Sequence, residues 1–347
     1  MSERGNRKAD LLRHPIEHCD ITQFDADPIL QQMGGMSFSA RDAARARDIL
    51  HTMIADEACA VILTLAGSSS AGGCMHVWRD LVRHNMVDAI VATGAAVIDM
   101  DFFEALGFRH YRGASAGVPD TELRDLRIDR IYDTYIDEQE LKACDFQIKA
   151  IADEMAPGPR SSRAFLRDLG RWLETHAKKP DSLLAAAHAS EVPIFCPAFS
   201  DSSAGFGLVA HQSERPQSHV AIDSVADFRE LTQIKLAHAT TGLFMIGGGV
   251  PKNFAQDIVV CAEILGHETE MHKYAVQITV ADSRDGGCSS SSLEEAGSWG
   301  KVAEEHTQMV FAEASMIAPL LASSLYHHSA WRARPPRRLQ RLFDAAD

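Results

Sequence analysis

Ala60-Val61-Ile62-Leu63-Thr64-Leu65-Ala66-Gly67-Ser68-Ser69-Ser70-Ala71-Gly72-Gly73 decides the fold class. Its first half is a short, nearly unbroken apolar run, its second a turn of small residues, and Met75 to Met86 then carries apolar side chains at helical spacing. A run that is apolar at every position suits a strand buried on both faces, so strand, small-residue loop and helix is the opening of a parallel α/β unit. The unit repeats at Val87-Asp88-Ala89-Ile90-Val91-Ala92-Thr93-Gly94, with Met100 to Leu106 as its helix. Further strands are expected at 192–197, 220–222, 242–246 and 274–280. Each ends in a polar or glycine-rich loop. The predicted architecture is a Rossmann-like, mostly parallel sheet with helices on both faces, whose carboxyl-end loops collect in one ligand crevice.

Outward from this unit, residues 1–57 read as a polar arm and a helix carrying Ala43, Ala44, Ile49, Leu50 and Met53, a helical lead-in to the sheet. Residues 58–325 form the expected catalytic domain. The charged middle, about 119–190, reads as helical, with Leu123, Leu126, Ile128 and Ile131 at helical intervals. The stretch 326–347, rich in Arg and Pro from Arg332 to Arg341, lacks a core pattern and is expected to be a flexible, solvated tail.

The chain has 347 residues, 46% of them hydrophobic and 24% charged, a composition that does not suggest disorder. Its formal charge of −14 disfavours nucleic acid and suits cationic ligands. No apolar run spans a membrane and Met1 to Lys8 lack the apolar core of a secretory leader, so a cytoplasmic location is expected. The seven cysteines are scattered and never spaced Cys-x-x-Cys, which points to free thiols and to no metal site.

The dinucleotide fingerprint Gly-x-Gly-x-x-Gly is not present in usable form. The loop Gly67 to Gly72 nevertheless offers backbone N–H groups and hydroxyls at a helix N-terminus, which suits a pyrophosphate and equally suits a plain turn. Thr93-Gly94 and Gly247-Gly248-Gly249 are similar turns after later strands, and together the three favour a nucleotide. Asp201 and Asp285 lie at two more strand ends, placed to bond ribose hydroxyls or to close Asx turns. In Leu293-Glu294-Glu295-Ala296-Gly297-Ser298-Trp299-Gly300-Lys301, a helix would bring an acid, an aromatic ring and an amine around one narrow site. Periodicity alone makes Lys301 a surface lysine.

These segments, in this order, resemble the deoxyhypusine synthase family. The resemblance rests on Ser70-Ala71-Gly72, Val87 to Gly94, Cys196-Pro197-Ala198-Phe199-Ser200-Asp201, Gly247-Gly248-Gly249-Val250-Pro251-Lys252, Asp285-Gly286, Glu295 to Lys301 and Ala312-Glu313-Ala314-Ser315. It implies a homotetramer with active sites between subunits, bound NAD, and transfer of an aminobutyl group through an imine on a lysine. On it, Lys301 is the nucleophile, Trp299 the indole along the butyl chain and Glu295 the acid holding an amine. NAD falls to Gly67, Ser70, Thr93, Gly94, Asp99 (a family glutamate), Asp201, Gly248, Asp285, and Glu313 with Ala314 (a family Asp-Ala pair).

The departures fall in the amine pocket. Phe206 and Cys288 stand where the family has aspartates, Gln277 replaces a tyrosine, and Lys-His-His-x-x-Asn becomes Lys252-Asn253-Phe254-Ala255-Gln256-Asp257. Loss of two carboxylates would leave ammonium groups of a triamine unpaired. The reading that follows is transfer of a 4-aminobutyl or 4-guanidinobutyl group between small cationic amines, with Asp257 and Glu295 as anchors. Two alternatives stand beside it: a true deoxyhypusine synthase, taking the aminobutyl group of spermidine to a lysine of a translation-factor precursor, and a catalytically silent NAD-binding relative.

Overall fold

The computed structural model describes residues 3–113, 117–289 and 291–344, so Ser290 of the serine run and the last three residues of the tail lie outside the described residues. Six strands form the main sheet: Ala60–Leu65 (β1), Ala89–Ala92 (β2), Ile194–Phe195 (β3), Thr241–Ile246 (β4), Tyr274–Thr279 (β5) and Thr307–Phe311 (β6). Every pairing among them is parallel, in the order β6-β5-β4-β1-β2-β3. This is the Rossmann order, and it confirms the expected fold class. Strand order reverses between β1 and β4, where Leu65 lies opposite Ile246.

The unbroken apolar runs follow from burial on both faces. Val61, Leu63 and Leu65 alternate with Ile62 along β1, and the two sets enter different cores. The first core takes in Leu50, Met53 and Ile54 of the helix Ser39–Ala55, Trp78 of Met75–Arg83 and Leu321 of Ala314–His328. The second holds Leu231 and Ile234 of Ser224–Ala237, Ala255 and Ile258 of Gly249–Ile264, and Leu293 and Ala296 of Leu293–Ser298.

Four expectations need correction. Val220–Ile222 does not join the sheet; it pairs with Gly158–Arg160 in a separate ribbon. The sixth place goes to Thr307–Phe311, an edge strand whose half-exposed side chains hide the unbroken apolar pattern of the others. Ile128–Ile131 is not helical but pairs antiparallel with Thr134–Asp137. Tyr132, at φ 52°, turns that two-residue hairpin, and Tyr135 and Ile136 bury its other strand.

The tail is the fourth. Arg334 is 4% exposed; its guanidinium donates to the Asp88 carboxylate and to the Cys59 (2.7 Å) and Asn85 (3.1 Å) carbonyls. Leu339 and Phe343 enter the second core, where Phe343 lies edge-on to Phe195 at 6.1 Å and under Arg163 at 4.5 Å. Leu339 and Phe343 are spaced among many arginines, so the segment shows no periodicity, and a buried charge at the amino ends of β1 and β2 helps to order it.

Candidate active site

The six carboxyl-end loops line one edge of the sheet. At the reversal point, Gly247 (φ 74°) brings the loop after β4 against the loop after β1: a Cβ there would stand 3.0 Å from that of Ala66. Gly248 precedes the helix Gly249–Ile264 as its N-cap. Thr93 donates to the carbonyl of Gly67 (2.9 Å), tying the loop after β2 to the same crevice. Gly94 abuts Ser202 in the loop after β3. Ser70 is fully buried, and its hydroxyl finds no hydrogen-bond partner among the described residues.

The acids of this edge differ in their freedom. Asp99 accepts from the Ser203 N–H at 2.6 Å, closing the first turn of the helix Ser203–Glu214, and burial pushes its carboxyl up to about 6 against that bond. Glu313 caps its own helix, taking the Ser315 hydroxyl and the N–H groups of Ser315 and Met316 just beyond Ala314; against the upward push of burial, these bonds hold its carboxyl below the usual range. Asp201 is exposed in a turn, and Asp285 accepts from the Ser289 N–H at 3.1 Å. Cys288 and Phe206 are exposed, on the loop after β5 and on the helix Ser203–Glu214.

Lys301 is not on a helix. Leu293–Ser298 opens with a capping box, in which Ser292 Oγ accepts from Glu295 N and the Glu295 carboxylate accepts from Ser292 N at 2.5 Å. It closes with a Schellman turn: Lys301 N donates to Ala296 O (3.0 Å) and Gly300 N to Gly297 O (2.9 Å). Gly300, at φ 70°, takes the left-handed position that a side chain would strain. The turn aims Lys301 at the helix Gly249–Ile264. Its Nζ lies 2.5 Å from Asp257 Oδ1 and 5.2 Å from the Trp299 ring centroid. The Lys301 side chain is only 17% exposed, while the indole is 70% exposed. Asn253 sits one turn before Asp257 on the same helix, and is exposed.

Thus the structure brings Lys301, Trp299 and Asp257 together, while Glu295 is held in its own cap. From Gly249 to Asp257 the helix runs about 12 Å at its usual rise, linking the crevice to the Lys301–Asp257 pair.

Two residues absent from the expected site organise it. Lys252 is fully buried, with Nζ donating to the carbonyl and hydroxyl of Ser291; burial lowers its ammonium to about 8, Glu295 opposing and Lys301 adding to the shift. His272 is fully buried and neutral, pushed down to about 3 by burial and by Lys235. Because the Ala255 carbonyl can only accept, Nε2 carries the proton toward it (3.0 Å), and Nδ1 accepts from the Thr241 hydroxyl (2.8 Å). Lys235 Nζ completes the chain at 3.1 Å from that hydroxyl. The His272 backbone bonds both Lys301 O and Ala303 N (2.9 Å each), so one histidine fixes the segment carrying Lys301 and the helix facing it. Lys252 was legible within its motif; a single histidine outside any motif gave no signal.

The family model for deoxyhypusine synthase matches residues 28–325. A deoxyhypusine synthase-like protein of Caulobacter vibrioides is 60% identical over 343 residues, covering 98% of this chain and 93% of its own. One from Coxiella burnetii is 60% identical over 337 residues, covering 97% and 96%. The crystal structure of a candidate deoxyhypusine synthase from Entamoeba histolytica is similar in fold, with a TM-score of 0.56 at 20% identity over 90% of this chain and 97% of that one.

Proposed function

The chain belongs to the deoxyhypusine synthase family, and on that premise we propose that it moves a 4-aminobutyl or 4-guanidinobutyl group from a small amine donor to an amine acceptor through an imine on Lys301. The observation that carries this reading is the partly buried lysine with a carboxylate at 2.5 Å and an open indole face beside it. A lysine on an ordinary solvated surface has no such enclosure.

The carboxyl edge suits NAD. The reversal point, the close approach at Gly247 and the unsatisfied buried hydroxyl of Ser70 are features a pyrophosphate at a helix N-terminus would use. Gly67, Ser70, Thr93 and Gly248 would hold it there. When bound, NAD supplies hydride acceptance at the carbon beside the donor's amine and later hydride return.

The chain's own residues supply the rest. Neutral Lys301 attacks the oxidised carbon, its new C–N bond replaces the bond to the leaving amine, and that amine departs with the proton. The acceptor amine then displaces Lys301 by the same exchange. Trp299 lies along the alkyl chain and excludes water from one side of it. Exposed Phe146, Phe206 and Val209, on the packed helices Glu138–Glu154 and Ser203–Glu214, support assembly with further copies, a homotetramer in this reading.

Incubation with NAD and, separately, agmatine, putrescine or spermidine, followed by borohydride and peptide mass spectrometry, tests the proposal. A reduced adduct on Lys301 from agmatine or putrescine is expected, and Lys301→Ala should abolish it while leaving NAD binding intact. An adduct from spermidine alone would instead favour a protein acceptor. None from any donor would refute transfer.

A further inference from the structure

In an extension that rests on the transfer reading above, we propose that Asp257 is a charge lock on the nucleophile: it holds Lys301 as an ammonium in the ligand-free protein and releases it when the distal ammonium or guanidinium of a dicationic donor takes the carboxylate. An ammonium has no lone pair and cannot attack carbon. Nζ stands 2.5 Å from Asp257 Oδ1, the contact through which the lock acts.

Three features make the lock releasable. Asp257 Oδ1 is buried, and Lys301 Nζ is the one cation paired with it among the described residues, so a second cation can take that place. Asp257 lies in the middle of a sixteen-residue helix, so changing its partner unwinds nothing. Glu295 is drawn back to its own cap by the Ser292 N–H, and among the described residues it is Asp257 that pairs with Lys301.

The neighbours set the direction of the change. Lys252 is a second buried cation close enough for its charge and that of Lys301 to disfavour each other. Once a donor's far cation occupies Asp257, Lys301 faces Lys252 and the donor's charge without its own counter-ion. The neutral amine is then favoured, and the proton passes to water. A monoamine brings no second charge and leaves the lock closed. Selectivity for dications therefore arises at the nucleophile as well as in binding.

The test compares wild type, Asp257→Asn and Asp257→Glu by two readouts. The first omits NAD and amine: modification of Lys301 by propionaldehyde with cyanoborohydride near neutral pH, followed by peptide mass spectrometry. Asp257→Asn should react about tenfold faster or more, and Asp257→Glu close to wild type. The second is borohydride trapping with NAD and either agmatine or n-butylamine. Wild type should trap the guanidinobutyl group and little butyl; Asp257→Asn should trap more butyl and lose most of the preference. A carboxylate that only anchors substrate predicts unchanged aldehyde labelling and no gain with butylamine, and that result overturns the lock even with agmatine trapping intact. Faster labelling of Asp257→Asn with no amine trapped by any variant upholds the lock and removes the transfer reading instead.

Discussion

Replacing Arg334 by Met keeps most of the side chain's bulk and removes its charge. Arg334 and Asp88 are only 1% and 2% exposed at their side chains. The change strips two donor contacts from the Asp88 carboxylate and one each from the Cys59 and Asn85 carbonyls. Breaking a buried pair by deleting one partner costs about 3–5 kcal/mol, because the remaining charge stays buried. Asp88 keeps the Val61 N–H at 2.7 Å and Arg337 at 3.5 Å, which puts the expected loss near the lower end, about 3 kcal/mol. Against an unfolding entropy of roughly 2.1 cal/mol/K per residue, that lowers Tm by about 4 °C. Thermal unfolding followed by circular dichroism reads it, and limited proteolysis should cut the variant first within 330–343. Asp88→Asn combined with Arg334→Met should recover much of the loss, since no unpaired charge then remains. An unchanged Tm in the single variant, or a double variant no more stable than the single, would refute the view that this ion pair seats the tail.

Asp227 is buried, and burial pushes its carboxyl up to about 7 despite bonds from the Ser162 hydroxyl and the Arg163 N–H. The folded protein therefore binds this proton more tightly than the unfolded chain, and stability present at low pH is lost as pH rises from about 4 through 7. Asp227→Asn should accordingly gain on wild type between pH 5 and 8 in urea titrations, on the order of 1 kcal/mol or more, whereas a constant difference would contradict it. Gly300→Ala meets no neighbour but forces a side chain into the left-handed position, costing about 1 kcal/mol and turning Lys301 away; borohydride trapping should fall more than stability does. Gly247→Ala adds a Cβ 3.0 Å from Ala66 at positive φ and should weaken NAD binding, measured by fluorescence titration, by about tenfold or more while leaving aldehyde labelling of Lys301 unchanged.

The parallel sheet was legible because a strand buried on both faces must be apolar at nearly every position, and β1, β4 and β5 are buried throughout. The glycine loops were legible for a similar reason: turns that approach another backbone closely exclude side chains. Motif order carried the family. Edge strand β6, the hairpin at 128–137 and the seating of 330–343 left no such trace, since each depends on partners far away in the chain. Arg334 meets Asp88 across 246 residues, and His272 meets Ala255 through a side chain that no periodicity marks.

The site around Lys301 divides in the same way. Sequence alone determined that Lys301 follows Trp299-Gly300 and that an acid stands at 257 in place of an amide. Only the tertiary structure decided that Asp257, not Glu295, meets Lys301. The capping box draws Glu295 back to its own helix, the Schellman turn points Lys301 outward, and the sheet brings two helices of the second core face to face. Local hydrogen bonds removed one acid from the site, and packing supplied the other.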